Sequence, residues 1–159
     1  MDNYRDLEHK FKTEITKHIN NAMPNIRFKK GTVSVSSDYE DGNLSFDMVL
    51  NSKIGISVRI RKHKYINFND LTIRYRSKAG GYCEFEKIQN GLADIYFYAY
   101  MNEDESKLIK IRICDVDAIR ELIKEGKYSV FNNYDSTQLA TFKFSDIAKY
   151  KGAIYKFDN

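Results

Sequence analysis

Residues 54–61 read Ile-Gly-Ile-Ser-Val-Arg-Ile-Arg, and this strict alternation constrains the fold more than any other segment. Successive side chains of an extended chain point to opposite faces. Ile54, Ile56, Val58 and Ile60 must therefore share one face and seek cover, while Arg59 and Arg61 share the other. A layer to cover the aliphatic face is available nearer the start of the chain. Leu7, Phe11, Ile15, Ile19 and Ala22 recur at helical spacing, with Asp2 or Asn3 placed to cap the helix and Pro24 placed to stop it. Glu8, Glu14 and His18 plot on or beside this apolar stripe, so a polar side chain is expected at the edge of the interior.

The remaining pattern fills in an α+β chain. Strands are expected at 33–38 and 44–50, joined to 54–61 through Asp41-Gly42 and Asn51-Ser52-Lys53 as an antiparallel meander. Leu71, Ile73 and Tyr75 alternate with Thr72, Arg74 and Arg76 until Lys78-Ala79-Gly80-Gly81 breaks the run. A short helix over 84–90, an aromatic strand over 94–100 and a strand over 108–113 follow. A helix from Val116 to Lys124 is then expected, capped by Asp115 and ended by Gly126. The tail predicts a strand near 139–144, a short helix begun by Ser145 and an extended piece at 153–157. No repeat or low-complexity linker divides the chain, so residues 1–159 read as one domain, with a central mixed sheet flanked by helices. The 42% hydrophobic content is enough for a sizeable core.

Several function classes lose ground on composition. No apolar run approaches the roughly 20 residues that span a bilayer, and no secretory leader pattern opens the chain. A soluble, cytoplasmic protein with no membrane partner is the expectation. Cys83 and Cys114 lack zinc-site spacing and fit reduced thiols, and His9, His18 and His63 form no metal spacing. Walker, Rossmann and nucleophile-elbow motifs are lacking. Charge is more informative, because residues 53–87 hold nine Lys/Arg against three acids, a local excess of +6. Such an excess is the electrostatic footprint of a nucleic-acid surface, and also of an ordinary solvated face.

Individual residues can carry chemistry on this scaffold. Asp47 alternates with Phe46 and Met48 and so points away from them; if its side and that of Arg59 and Arg61 are one sheet face, it lies opposite or diagonal to the arginines, as a structural ion pair or as part of a site. Glu84 and Lys87 lie three apart on one helical face, either as a surface pair or as a carboxylate and an ammonium aimed at the sheet. Asp94 stands at the mouth of the aromatic strand as a further possible ligand. Tyr96, Tyr98 and Tyr100 alternate onto one face, which suits base stacking but is explained at least as well by strand packing.

The order of these parts, with Phe46-Asp47-Met48-Val49-Leu50 followed by Ile56-Ser57-Val58-Arg59-Ile60-Arg61, resembles the PD-(D/E)XK nuclease superfamily over about residues 5–125. It is similar in particular to small phage-encoded members with a trailing segment such as Asp70-Leu71-Thr72-Ile73-Arg74. The resemblance implies a restriction-endonuclease-like core and a phage or mobile-element protein that binds nucleic acid, with Mg²⁺-dependent endonuclease cleavage as its activity. Asp47 would be a metal ligand at the family's Asp position. Glu84 as a second metal ligand and Lys87 as a catalytic lysine would be a migrated pair standing in for the strand acid and lysine, and Arg59, Arg61, Lys62, Lys64, Arg74 and Arg76 would contact nucleic acid. One departure is decisive for chemistry: Arg59 and Arg61 stand where the pattern has an acid and a lysine, and a guanidinium neither ligates a cation nor serves as a base near neutral pH. The alternative is therefore a catalytically inactive nuclease-fold protein that works by binding, for example an anti-defence inhibitor of a host protein. Oligomeric state is not fixed by the sequence.

Overall fold

The computed structural model describes residues 4–22, 33–35, 48–50, 54–76, 83–91 and 93–159. Helix α1 (Tyr4–Ala22) is followed by strands β1 (Val33–Val35), β2 (Met48–Leu50) and β3 (Ile54–Arg61), then a 3-10 turn at His63–Tyr65 and β4 (Asp70–Arg76). Next come α2 (Glu84–Gln89), β5 (Ile95–Met101), β6 (Leu108–Asp115) and α3 (Val116–Lys124). The chain closes with β7 (Ser129–Asn132), β8 (Gln138–Lys143), α4 (Phe144–Ile147) and β9 (Ile154–Asp158). Among the described residues these strands form a six-stranded sheet in the order β1-β2-β3-β5-β6-β9 and a three-stranded sheet in the order β4-β8-β7. The fold is α+β. β1, β2 and β3 pair antiparallel, as the meander reading requires. β3 and β5 are parallel, and the long connection that parallel neighbours need is supplied by β4 and α2.

Burial explains the layers. Ile56, Val58 and Ile60 pack with Ile95, Phe97, Ala99 and Met101 beneath the α1 stripe of Leu7, Phe11, Ile15, Ile19 and Ala22. The opposite face of the large sheet is covered as well. There Tyr96, Tyr98 and Tyr100 meet Phe85 and Ile88 of α2, Ile119 and Leu122 of α3, and Leu71, Ile73, Ala140 and Phe142 of the small sheet. Every residue of β5 is consequently buried, and the strand reads as one apolar run because it is covered on both sides.

Local chemistry fixes the ends of α3. The Asp115 carboxylate accepts from the Asp117 N–H at 2.9 Å, while Gly126 adopts φ +66° and the Gly126 and Lys127 N–H groups close on the Ile123 and Leu122 carbonyls. Asp115→Ala is expected to lower stability by about 1 kcal/mol in a denaturant titration with an unchanged slope.

Some boundaries differ from expectation. β1 is described only to Val35 and β2 only from Met48, the intervening residues lying outside the described set. α4 begins at Phe144 rather than Ser145, since Phe144 still donates its N–H to the Asn69 carbonyl and fills the interior. β7 is a strand with no counterpart in the sequence reading. All four of its residues are exposed, so it lacks the buried periodicity by which strands are recognised. No described helix is long and apolar enough to cross a membrane.

The polar positions of α1 reach the interior edge. Glu14 accepts the Leu108 N–H at 3.2 Å, and burial raises its pKa against the opposing pull of that bond and of Lys17 and Lys107. His18 is buried, its ring centroid lies 4.5 Å from that of Phe157 on β9, and its Nδ1 has no hydrogen-bond partner. Burial, with Lys17 adding, lowers the His18 pKa below its ordinary value. For a base depressed by folding, the stability is complete above the unfolded pKa near 6.5 and is lost as pH falls through the folded value. Stability should therefore fall as pH drops below about 6.5, and His18→Leu should flatten that part of the profile. A slope unchanged by the substitution would contradict this assignment.

Candidate functional site

The two sheets meet where the polar side of β3 faces β4 and α2, and Glu84 stands at the junction. Arg59 lies on β3 beside Tyr98 of β5, because parallel pairing sets Ser57, Arg59 and Arg61 against Tyr96, Tyr98 and Tyr100. Arg59 Nη2 donates to Glu84 Oε2 at 2.8 Å, and Nη1 donates to the Thr72 carbonyl of β4 at 3.0 Å. The same Glu84 Oε2 accepts the Arg74 backbone N–H at 2.8 Å, while Oε1 accepts the Tyr96 hydroxyl. β4 is an edge strand of the small sheet, and Glu84 takes the place of a neighbouring strand for the Arg74 N–H. Burial, reinforced by the adjacent Glu84 carboxylate, pushes the Tyr96 phenol well above its ordinary value, so it remains a donor. The side chains of Arg59 and Glu84 are only 16% and 19% exposed. Three donors thus occupy Glu84 and tie the two sheets together.

This geometry bears on the metal question. Glu84 already satisfies an arginine, a phenol and a backbone amide, leaving it poorly suited to hold a cation as well. Among the described residues no group of three His, Cys, Asp or Glu side chains is arranged to hold a metal ion. Asp47, the other expected ligand, lies outside the described residues. Lys87 is half-buried one turn beyond Glu84, near the C-terminal end of α2. Asp94 accepts the Gly55 N–H at 2.8 Å while the two backbones also bond, so it fastens the start of β3 to the start of β5. Glu84 and Asp94 are thus both held by protein donors.

Arg61 is placed differently from Arg59. Its guanidinium stacks 4.3 Å from the centroid of the Tyr65 ring, and its Nε is buried without a hydrogen-bond partner. It forms part of the wall of a cleft of about 870 Å³ between the two sheets. One side of this cleft is β3 and the turn that follows, contributing Arg61, Lys62, Lys64, Tyr65 and Phe68. The other side is the outward face of the small sheet, where strand register aligns Thr72 with Thr141 and Phe131 with Leu139. The Tyr100 hydroxyl closes the base by donating to the Phe68 carbonyl at 3.0 Å. Three cations line the cleft against one carboxylate, Asp70. Lys62 also lies 3.2 Å from Glu105, an exposed pair that exchanges partners at little cost.

Of the other expected contacts, Arg74 and Arg76 are exposed on β4, Arg76 lying over the Tyr75 ring. The Tyr96, Tyr98 and Tyr100 rings are at most 1% exposed, so packing and not base stacking accounts for them. Among the described residues the most exposed aromatic side chains are Phe68, Phe131 and Tyr134, at 57%, 45% and 93% exposure, and all three line the cleft. The sequence reading missed them. The available signal was Asn132-Asn133-Tyr134-Asp135-Ser136, a run of turn residues between two short β-prone segments, which folds as the β7–β8 turn with Ser136 at φ +66°.

No protein-family model matches the sequence, and comparison with curated proteins finds no match.

Proposed function

We propose that this chain binds nucleic acid in the cleft between its two sheets and does not cut it. The observation that carries the reading is the cleft itself, where Arg61, Lys62 and Lys64 converge with three exposed aromatic rings. Cations neutralise phosphates, and exposed rings offer surfaces on which bases stack. The binding half of the nuclease resemblance suits these residues. The cleaving half does not, because the carboxylate it needs from Glu84 is committed to Arg59, Tyr96 and the β4 edge.

Anisotropy of a labelled oligonucleotide across a salt series tests the reading. Three neutralised phosphates give a log–log slope of about −2 for a single strand. The bound strand is expected to remain intact with Mg²⁺ or Mn²⁺ present. Undetectable binding at low salt, or metal-dependent cleavage, would overturn the proposal.

A further inference from the structure

The charged and aromatic groups of the cleft are distributed in a way that selects among nucleic acids. We infer that the cleft takes an unpaired strand, with a base stacked on Phe131 or Tyr134 and its phosphate at Arg61, an inference that rests on the nucleic-acid reading above. Tyr134 is 93% exposed and Phe131 45% exposed, and both stand on the β7–β8 side of the cleft opposite Arg61. A duplex buries its base faces in its own stack and presents phosphates outermost, so these rings gain little from it. An unpaired strand exposes π-faces that rings of this kind can cover.

Size and depth point the same way. The cleft volume of about 870 Å³ falls in the range of sites that enclose a small molecule, which suits a nucleotide or two and not the width of a double helix. Arg61 lies on the inner wall of the cleft with its guanidinium stacked on the Tyr65 ring, which holds the cation in place for a phosphate that enters. Lys62 and Lys64 are exposed beside it. These two further cations offer partners to the successive phosphates of a strand, which a lone mononucleotide would leave unused.

The test compares a labelled oligothymidylate of about 15 nucleotides, a duplex of equal length and unlabelled thymidine monophosphate as competitor. At low salt the single strand is expected to bind about 10-fold or more tighter than the duplex. The double variant Phe131→Ala/Tyr134→Ala should lose about 10- to 100-fold for the strand and little for the duplex. Both side chains are exposed, so the variant should keep the wild-type circular dichroism and melting profile. Duplex binding as tight as single-strand binding, with the double variant unaffected, would overturn the inference and leave nucleic-acid binding in place. Failure of both nucleic acids to bind would remove the underlying reading. Competition by the monophosphate at concentrations comparable to the strand would overturn the assignment of a strand as the ligand.

Discussion

Glu84→Ala is expected to destabilise the protein by about 3–5 kcal/mol, because it removes one partner of a largely buried ion pair. The substitution leaves the Arg59 guanidinium without its carboxylate, and strands the Tyr96 hydroxyl and the Arg74 amide at the junction of the two sheets. Retention of the Arg59 bond to the Thr72 carbonyl places the loss toward the lower end of that range. Glu84→Gln keeps an acceptor oxygen and should cost less. Replacing both members, Arg59→Leu with Glu84→Leu, should recover part of the loss, since an apolar pair leaves no buried charge alone. A metal ligand behaves in the opposite way: its removal abolishes cleavage and relieves repulsion among carboxylates. Chemical denaturation of the variants separates the roles, and a Glu84→Ala protein as stable as wild type would contradict the junction described here.

The combined variant Arg61→Ala/Lys62→Ala/Lys64→Ala is expected to weaken nucleic-acid binding by about 100-fold or more at low salt and to flatten the salt dependence by about 2. Each cation removed is one fewer phosphate neutralised and fewer counterions released. The effect should be much smaller at high salt, where that release contributes little. Arg59 is a natural contrast, because its guanidinium is held by Glu84 and Thr72. Its loss should be felt in stability before affinity. Equal affinity losses from the triple variant at low and high salt would mean that these residues do not act on phosphates.

Much of the fold was legible because it rests on periodic burial. The two-residue repeat in 54–61 identified β3 and placed Arg59 and Arg61 on one face, and both now share the face carrying Tyr96, Tyr98 and Tyr100. The α1 stripe and the Asp115 cap were legible for the same reason: each is a local pattern with a local cause. What periodicity could not tell was that the polar face of β3 is also covered. Arg59 and Glu84 are 25 residues apart in sequence and meet only because β4 belongs to a second sheet that packs α2 against the first. The cleft was hidden for a related reason. Its walls come from β3 and from the β7–β8 hairpin, far apart in sequence, and β7 is exposed throughout. Part of the basic excess over residues 53–87 does fall on one wall of the cleft, since Arg61, Lys62 and Lys64 belong to it.

The most direct test of the central claim is ultraviolet cross-linking of a thymidine-rich single strand to the wild-type protein, with the attached peptides identified by mass spectrometry. The account predicts adducts on Tyr65 or Phe68 at one wall and on Phe131 or Tyr134 at the other, all reduced in the Arg61→Ala/Lys62→Ala/Lys64→Ala variant. Adducts confined to surfaces away from the cleft, such as α3 or β9, or adduct yields unchanged by the triple variant, would contradict it.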